Sequence, residues 1–302
     1  NRASLLPEAI KSVLNQTFSD FELIIVDDYS NDNTPDVVNS FQDPRIRYIR
    51  HDENKGLAAS RNTGLHHAQG KYIAYLDDDD QWLPEKLARQ LEVMENSEYH
   101  PCLVYLPGNV SGWMENYIFR GFTMANSCMF VSTEELAKIG GHSEDLQSCI
   151  DHDIWMKMAQ AKFYMKPVPQ PLIKTTETSQ ISRMTNRLDE RFNGIEKFFN
   201  KWRPYILENY GASSWQKIET VYEEVTFPKI KSAYLKGNIS KKEALRYYQK
   251  FLNWQSQFWS KKNLRLWIDY IGFQLGLIDY LPLKYNRTRI LKDFLAFKPR
   301  LN

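Results

Sequence analysis

The stretch 71–84, KYIAYLDDDDQWLP, decides how this chain is read. Lys71 to Leu76 is a short apolar run with aromatic and β-branched members, the pattern of a buried strand. It runs directly into four aspartates, Asp77 to Asp80, and Pro84 then opens a helical pattern that lasts to Asn96. A strand that ends in carboxylates and is followed by a helix belongs to an α/β layer, in which ligands gather at the carboxyl ends of strands.

Upstream, the same alternation is written twice more. Gly56 to Gln69 reads as a helix ended by Gly70, and Ile46 to Ile49 as a strand. Thr34-Pro35-Asp36 is a helix start, with a capping hydroxyl, proline at the first position and an acid in the first turn. Phe21 to Val26 (FELIIV) is a strand that runs into Asp27-Asp28. Leu5 to Gln16 sets Leu6, Ala9, Ile10, Val13 and Leu14 on one helical face. The alternation predicts an α/β fold with an open, mostly parallel sheet and flanking helices, Rossmann-like in plan.

Downstream the pattern loosens. Cys102 to Leu106 and Ser127 to Val131 read as strands, with a Gly- and aromatic-rich loop, Pro107 to Phe122, between them. Ser132-Thr133-Glu134-Glu135 is a capping box, and its helix stops at Gly140-Gly141. Asp151 to Lys162 reads as a helix with acids in its first turn, and Lys166 to Pro171 as extended chain. From about residue 186 glycine becomes rare, and helical stretches near 186–203, 214–236, 240–260, 262–281 and 286–297 carry many aromatics. The predicted division is residues 1–185 as one α/β domain, with halves at about 1–98 and 99–185, and residues 186–302 as a helical C-terminal appendix.

With 302 residues, 42% apolar and 25% charged, the chain has the makings of a substantial core and is neither a disordered nor a fibrous sequence. Cys102, Cys128 and Cys149 form no disulfide framework and point to a reducing compartment. No apolar run reaches the roughly 18 residues of a spanning helix, and no signal-peptide pattern opens the chain. It begins Asn1-Arg2 without Met, so a fragment is expected. Residues 1–185 carry 17 Lys and Arg against 26 Asp and Glu, a balance of −9, while residues 186–302 stand at +11. Two parts with different partners would be written this way, as would long, Lys-rich solvated helices. The acidic balance of the first part speaks against nucleic-acid binding.

Four consecutive aspartates repel one another unless a cation or donors offset them. Hard divalent ions such as Mg2+ and Mn2+ take oxygen ligands and complete their shell with phosphate oxygens, so an Asp-x-Asp pair after an apolar strand suggests a metal–diphosphate site. The plainer reading is a solvated acidic turn capping the helix at Pro84.

Four motifs in order narrow the choice: Asn15-Gln16-Thr17-Phe18; FELIIVDDYS at 21–30; Asn54-Lys55-Gly56-Leu57-Ala58-Ala59-Ser60-Arg61-Asn62-Thr63-Gly64; and GKYIAYLDDDDQWLPEKL from Gly70. Together they resemble glycosyltransferase family 2, of GT-A fold, over residues 1 to about 185. Ile139 to Glu144 followed by Ile150-Asp151-His152-Asp153 resembles the family's acceptor-side block, with Ile150 where the family usually has Glu. The family's opening strand, which precedes Asn1-Arg2, is not in the sequence.

The resemblance implies a nucleotide-sugar donor, most often a UDP-sugar, an acceptor hydroxyl on a glycan or lipid-linked molecule, as in bacterial surface polysaccharide synthesis, and inversion at the anomeric carbon. It assigns Asp28 to the uracil edge, where a carboxylate accepts the imide N–H, the plainer reading being a helix-capping acid. Asp79 becomes the metal ligand, with Asp77 shared between metal and ribose and Asp78 on the ribose; the metal is Mn2+ or Mg2+. Asp80 is left as a cap of the following helix. Arg61 is placed near the diphosphate or in a helix-surface salt bridge. Asp151 matches the general base, with Asp153 its competitor in the same helical turn. His142 and His152 are candidates for acceptor contact or for an extra metal ligand, His66 and His67 read as structural, and Trp113 is either a sugar-stacking ring or a loop anchor.

Two other classes stay in view. A non-catalytic nucleotide-sugar binder shares most of these residues. A Mg-dependent phosphatase also sets Asp-x-Asp after a strand, but Gln81-Trp82-Leu83-Pro84 does not follow that pattern. The amphipathic stretch Leu266 to Leu283 is either a packing module or a peripheral contact with an anionic membrane, which would place a cytoplasmic enzyme on the inner face of the cell membrane.

Overall fold

The computed structural model describes residues 1–175, 187–254, 270 and 271. The chain divides into two compact units, Asn1–Trp215 and Gln216–Asn302. In the first, α1 (Leu6–Leu14), β1 (Leu23–Asp27), α2 (Thr34–Asn39), β2 (Ile46–Arg50), α3 (Leu57–His67) and β3 (Tyr72–Ala74) follow in the expected alternation. Then come β4 (Asp80–Trp82), α4 (Lys86–Glu95), β5 (Cys102–Tyr105), β6 (Gly112–Trp113) and α5 (Glu115–Ile118). A short 3-10 turn, Asn126–Cys128, leads into β7 (Phe130–Ser132), α6 (Thr133–Lys138), α7 (Ile150–Gln160), β8 (Tyr164–Pro167) and β9 (Ile173–Thr175).

The α/β class holds, but the pairing is mixed rather than mostly parallel. β1 lies parallel to β2, Leu23 opposite Ile46, and β5 parallel to β8. In the five-stranded sheet β3-β7-β5-β8-β6, β7 runs antiparallel to both β3 and β5, and β6 antiparallel to β8; β4 and β9 form a separate antiparallel pair. The cause is the connections. A helix joins β1 to β2, and parallel neighbours need such a crossover, whereas the 107–128 segment lets β7 return antiparallel beside β5. β6 and α5 form inside the stretch expected to be loop, and β4 forms where Asp80 was expected to cap a helix; Asp80 instead pairs with Thr175.

The core between α1, α4 and the sheet gathers Val13, Trp82, Leu87, Met94, Val104, Phe130 and Leu172. Polar residues lock these layers. Gln16 donates Nε2 to the carbonyls of Ser12 and Leu83 and accepts the Leu87 amide at 3.0 Å, while the Thr17 amide and hydroxyl both donate to the Pro84 carbonyl. The Asn-Gln-Thr-Phe motif is therefore a clamp that seats the chain beyond the aspartate run. Gln90, fully buried, donates to the carbonyls of Val104 and Cys128 and so pins α4 to the sheet.

The helical region begins with α8 (Leu188–Leu235), whose backbone leaves the helix at Gly211, φ 75°. Its part up to Trp215 belongs to the first unit. In the second, α9 (Lys241–Trp254) buries Tyr247, Tyr248 and Phe251, with Phe227 stacked on Tyr248 at 5.3 Å. The aromatic stripe of α9 is thus a packing surface. The stretches 262–281 and 286–297, and the Leu266–Leu283 reading, lie outside the described residues apart from the helical pair 270 and 271. Among the described residues no helix is long and apolar enough to cross a membrane.

Candidate active site

Arg61 is the centre of the site. It sits on α3, with 6% of its side chain exposed, in a helix that starts at Gly56, where φ is +90° and a side chain would be strained. Its Nη1 donates to Asp151 Oδ1 at 2.5 Å and its Nη2 to Asp77 Oδ1 at 3.0 Å. With its amide turned to accept, Asn126 takes Arg61 Nη1 at 2.9 Å and Nε at 3.2 Å. Burial opposes the guanidinium's charge, but the two carboxylates outweigh it and Arg61 is held firmly cationic. One side chain thus joins the aspartate run after β3 to the first turn of α7. Arg61 does make salt bridges, but buried rather than on a helix surface.

Asp151 keeps 39% of its side chain exposed. Cys149, in the left-handed region at φ 65°, precedes α7, and the Asp151 carboxylate goes to Arg61 rather than to the helix backbone. Enclosure in the cleft pushes its carboxyl above the ordinary value; Arg61 pulls the other way and Asp77 adds to the push. Asp153 faces the opposite side and is fully buried. It accepts from Ser143 Oγ at 2.6 Å, Lys201 Nζ at 2.6 Å and Trp202 Nε1 at 2.8 Å. The two acids of one turn are separated by environment, one partly exposed beside Arg61 and one buried in tying α7 to α8.

In the aspartate run, Asp78 Oδ1 accepts from Arg2 Nη1 at 2.6 Å, and Asp79 Oδ2 lies 3.3 Å from the same nitrogen. Burial, with Asp79 and Asp77 alongside, pushes the Asp78 carboxyl up, and Arg2 opposes the shift. The Ala3 amide donates to Asp32 Oδ2 at 3.0 Å, so residues 2 and 3 connect the loop after β1 to the aspartate run. Through residues 2 and 3 the loop after β1 is thus held near the aspartate run. Asp28 follows directly on the end of β1. Its Oδ1 accepts the Lys55 amide at 2.7 Å and faces His51 Nδ1 at 2.9 Å, while Oδ2 accepts the Gly56 amide at 2.8 Å. The Asn54-Lys55-Gly56 turn is thereby fixed at the start of α3.

His142 and His152 are both buried. His142 is 2% exposed, lies edge-on to Tyr75 at 5.3 Å and is driven by burial to a pKa of about 3. His152 stacks on Phe198 at 4.8 Å, and burial lowers it to about 4. Both are neutral at pH 7, and neither is open to an acceptor. Asn62 explains the His142 loop: it donates to the His142 carbonyl at 2.9 Å and accepts the His142 amide at 2.8 Å, against Gly141, where a Cβ would meet its oxygen at 2.6 Å. His67 bonds back to the Thr63 carbonyl within α3. Trp113, on edge strand β6, packs edge-on to Tyr99 and Tyr164. Because β3 and β5 run the same way on either side of β7 and β8 is parallel to β5, Tyr164 marks the end of the sheet opposite Asp77. Trp113, 40% exposed, thus lies at the end of the sheet opposite Asp77.

Sequence reasoning missed Arg2, Asn126 and Ser127, whose Oγ accepts the Asp77 amide at 3.1 Å. Arg2 lay at the chain's start outside the quoted motifs, and the Asn126-Ser127 turn has no local signature.

Among the described residues no group of three or more His, Cys, Asp or Glu side chains is arranged to hold a metal. An ion that arrives with a diphosphate needs only one or two carboxylates from the protein. The crowded hard oxygens of Asp77 to Asp79 are a donor set of that kind, with excess negative charge that Arg2 and Arg61 only partly offset.

The comparisons bear on the family and the fold. The family description "Glycosyl transferase family 2" matches residues 1–128. An uncharacterized glycosyltransferase of Methanocaldococcus jannaschii is 32% identical over 98% of this chain and 89% of its own length. The Escherichia coli UDP-Glc:alpha-D-GlcNAc-diphosphoundecaprenol beta-1,3-glucosyltransferase WfgD is 43% identical over 31% of this chain, a match that spans only 37% of that relative. In three dimensions, S. aureus TarS 1-349 in complex with UDP superimposes with TM-score 0.59 at 17% identity, over 98% of this chain and 89% of that one. The mannosyltransferase PcManGT of Pyrobaculum calidifontis, solved with GDP-Man and Mn2+, gives 0.56 at 16% identity, over 90% of this chain and 84% of that one. The fold is that of the GT-A glycosyltransferases, and the chain belongs to glycosyl transferase family 2.

Proposed function

We propose that this glycosyltransferase moves a sugar from a nucleotide-sugar, a UDP-sugar first, to a hydroxyl of a glycan or lipid-linked acceptor in bacterial surface polysaccharide synthesis, with inversion at the anomeric carbon. The observation that carries the reading is the Asp77–Arg61–Asp151 bridge, which puts a solvent-reachable carboxylate and the aspartate run on the two arms of one guanidinium. UDP and UDP-GlcNAc in the TarS complexes, GDP-Man in the mannosyltransferase and the diphosphoundecaprenol acceptor in the WfgD name support the substrate classes.

In this reading the donor lies between Asp28 and the aspartate run, the base edge toward Asp28 Oδ2 and the ribose toward Asp78 and Asp77. Asp151 takes the proton from the acceptor hydroxyl as its oxygen forms a bond to the anomeric carbon. The bond from that carbon to the diphosphate oxygen breaks on the opposite face, and its electron pair leaves with the nucleoside diphosphate. Burial and the neighbouring Asp77 raise Asp151's pKa, which makes its carboxylate a stronger base than an ordinary one. Arg61, fixed by Asn126, holds Asp151 in place and brings positive charge to the diphosphate side. Asp79 and Asp77 would hold a Mn2+ or Mg2+ ion, which when bound would offset the negative charge that grows on the leaving diphosphate.

The test is thermal melting with UDP and Mn2+ together. Saturating ligand raises the melting temperature by several degrees, EDTA abolishes the rise, and Asp79→Ala fails to show it; about 2.7 kcal/mol of stabilisation is expected at a hundredfold excess over Kd. A rise that survives EDTA would remove the metal from the account. A panel of UDP-, GDP- and dTDP-sugars, followed by slow hydrolysis, then identifies the donor.

A further inference from the structure

Arg2 occupies the position of a counter-ion. Its guanidinium, with 24% of the side chain exposed, lies at 2.6 Å from Asp78 Oδ1 and 3.3 Å from Asp79 Oδ2. Asp79 itself is only 14% exposed, with Arg2 Nη1 against its Oδ2. The neighbouring Ala3 amide is anchored on Asp32, so Arg2 is held between the two acidic strand ends rather than trailing in solvent. A guanidinium on a carboxylate lowers that carboxylate's affinity for another cation, because the two compete for the same lone pairs and repel each other at short range.

We infer that Arg2 is a displaceable internal cation that keeps divalent metal off the aspartate run until a nucleotide diphosphate arrives. The inference rests on the metal reading above and adds an order of events to it. The incoming diphosphate offers Arg2 an anion at least as strong as Asp78, so the arginine can turn from the run to the phosphates as the metal enters. Metal and nucleotide then bind with positive coupling, and by reciprocity each raises the other's affinity equally.

The experiment is calorimetric titration of Mn2+ into the full chain without and with UDP, for the wild type, Arg2→Gln and Arg2→Lys. Nucleotide-free Mn2+ affinity rises on the order of tenfold in Arg2→Gln and stays near the wild-type value in Arg2→Lys, which keeps the charge. The metal–UDP coupling shrinks in Arg2→Gln by the same factor. Far-UV circular dichroism and metal-free melting confirm that each variant is folded. Unchanged or weaker nucleotide-free Mn2+ binding in folded Arg2→Gln overturns the inference while leaving the metal reading intact, and equal tightening in both variants overturns the charge-competition basis. If the wild type fails to bind Mn2+ even with UDP, the metal reading fails and the inference with it.

Discussion

At the scale of the residue, the decisive contrast is Asp151 against Asp153. They are two positions apart in one helical turn, about 200° around the axis, so they look in opposite directions. Which of them faces the cleft is set by Lys201 and Trp202 on α8, about fifty residues on, and by Arg61 on α3, ninety residues back. No local pattern carries that information, which is why the sequence leaves both as candidates. The environments predict opposite phenotypes. Asp153→Ala leaves the Trp202 N–H and the Ser143 hydroxyl without their buried acceptor and removes the Lys201 ion pair, so it costs about 2–4 kcal/mol of stability in urea unfolding. A variant as stable as the wild type would contradict the buried role. Arg61 and Asn62 were legible as a motif, but their division of labour was not: Arg61 turns to the cleft and Asn62 away from it, to the Gly141–His142 loop.

At the scale of the element, the alternation over residues 1–98 was legible because each long helix and strand carries its own periodicity. The short strands β4, β6 and β9, two or three residues each, were not, because such strands exist only through partners far along the chain, as Asp80 does through Thr175. Helix α4 carries a titratable feature that periodicity cannot reveal. Lys86 is fully buried beneath Trp82, 3.9 Å from the ring, and donates to Gln90 Oε1 at 2.6 Å. Burial lowers its pKa to about 7, against an ordinary value of 10.5. Below pH 7 the folded and unfolded chains both hold the proton, and folding bears the whole penalty of the buried charge. Between about 7 and 10.5 only the unfolded chain holds it, so stability rises with pH through that window. Urea unfolding of the wild type relative to Lys86→Met therefore gains about 2 kcal/mol between pH 6.5 and pH 9. Parallel pH profiles for the two proteins would show that Lys86 keeps its proton in the core.

At the scale of the whole molecule, the site draws on residues as far apart as Arg2 and Asp151, so the motifs announced its parts without giving their distances. The acidic and basic halves were legible by counting alone. The described part of α9 turns Tyr247, Tyr248 and Phe251 inward and leaves Lys241, Lys242 and Arg246 exposed. If residues 186–302, at +11, meet an anionic lipid surface, the contact is electrostatic: vesicle flotation succeeds at low salt and is lost at high salt. Failure to float at low salt would leave this region a packing module. The account as a whole turns on one carboxylate, and Asp151→Asn tests it most directly, with donor binding and sugar transfer measured on the same preparation. Donor affinity within a few-fold of the wild type, with transfer slowed roughly 10²–10⁴-fold, is the predicted result. Wild-type turnover in that variant would contradict it and move the proton acceptor elsewhere.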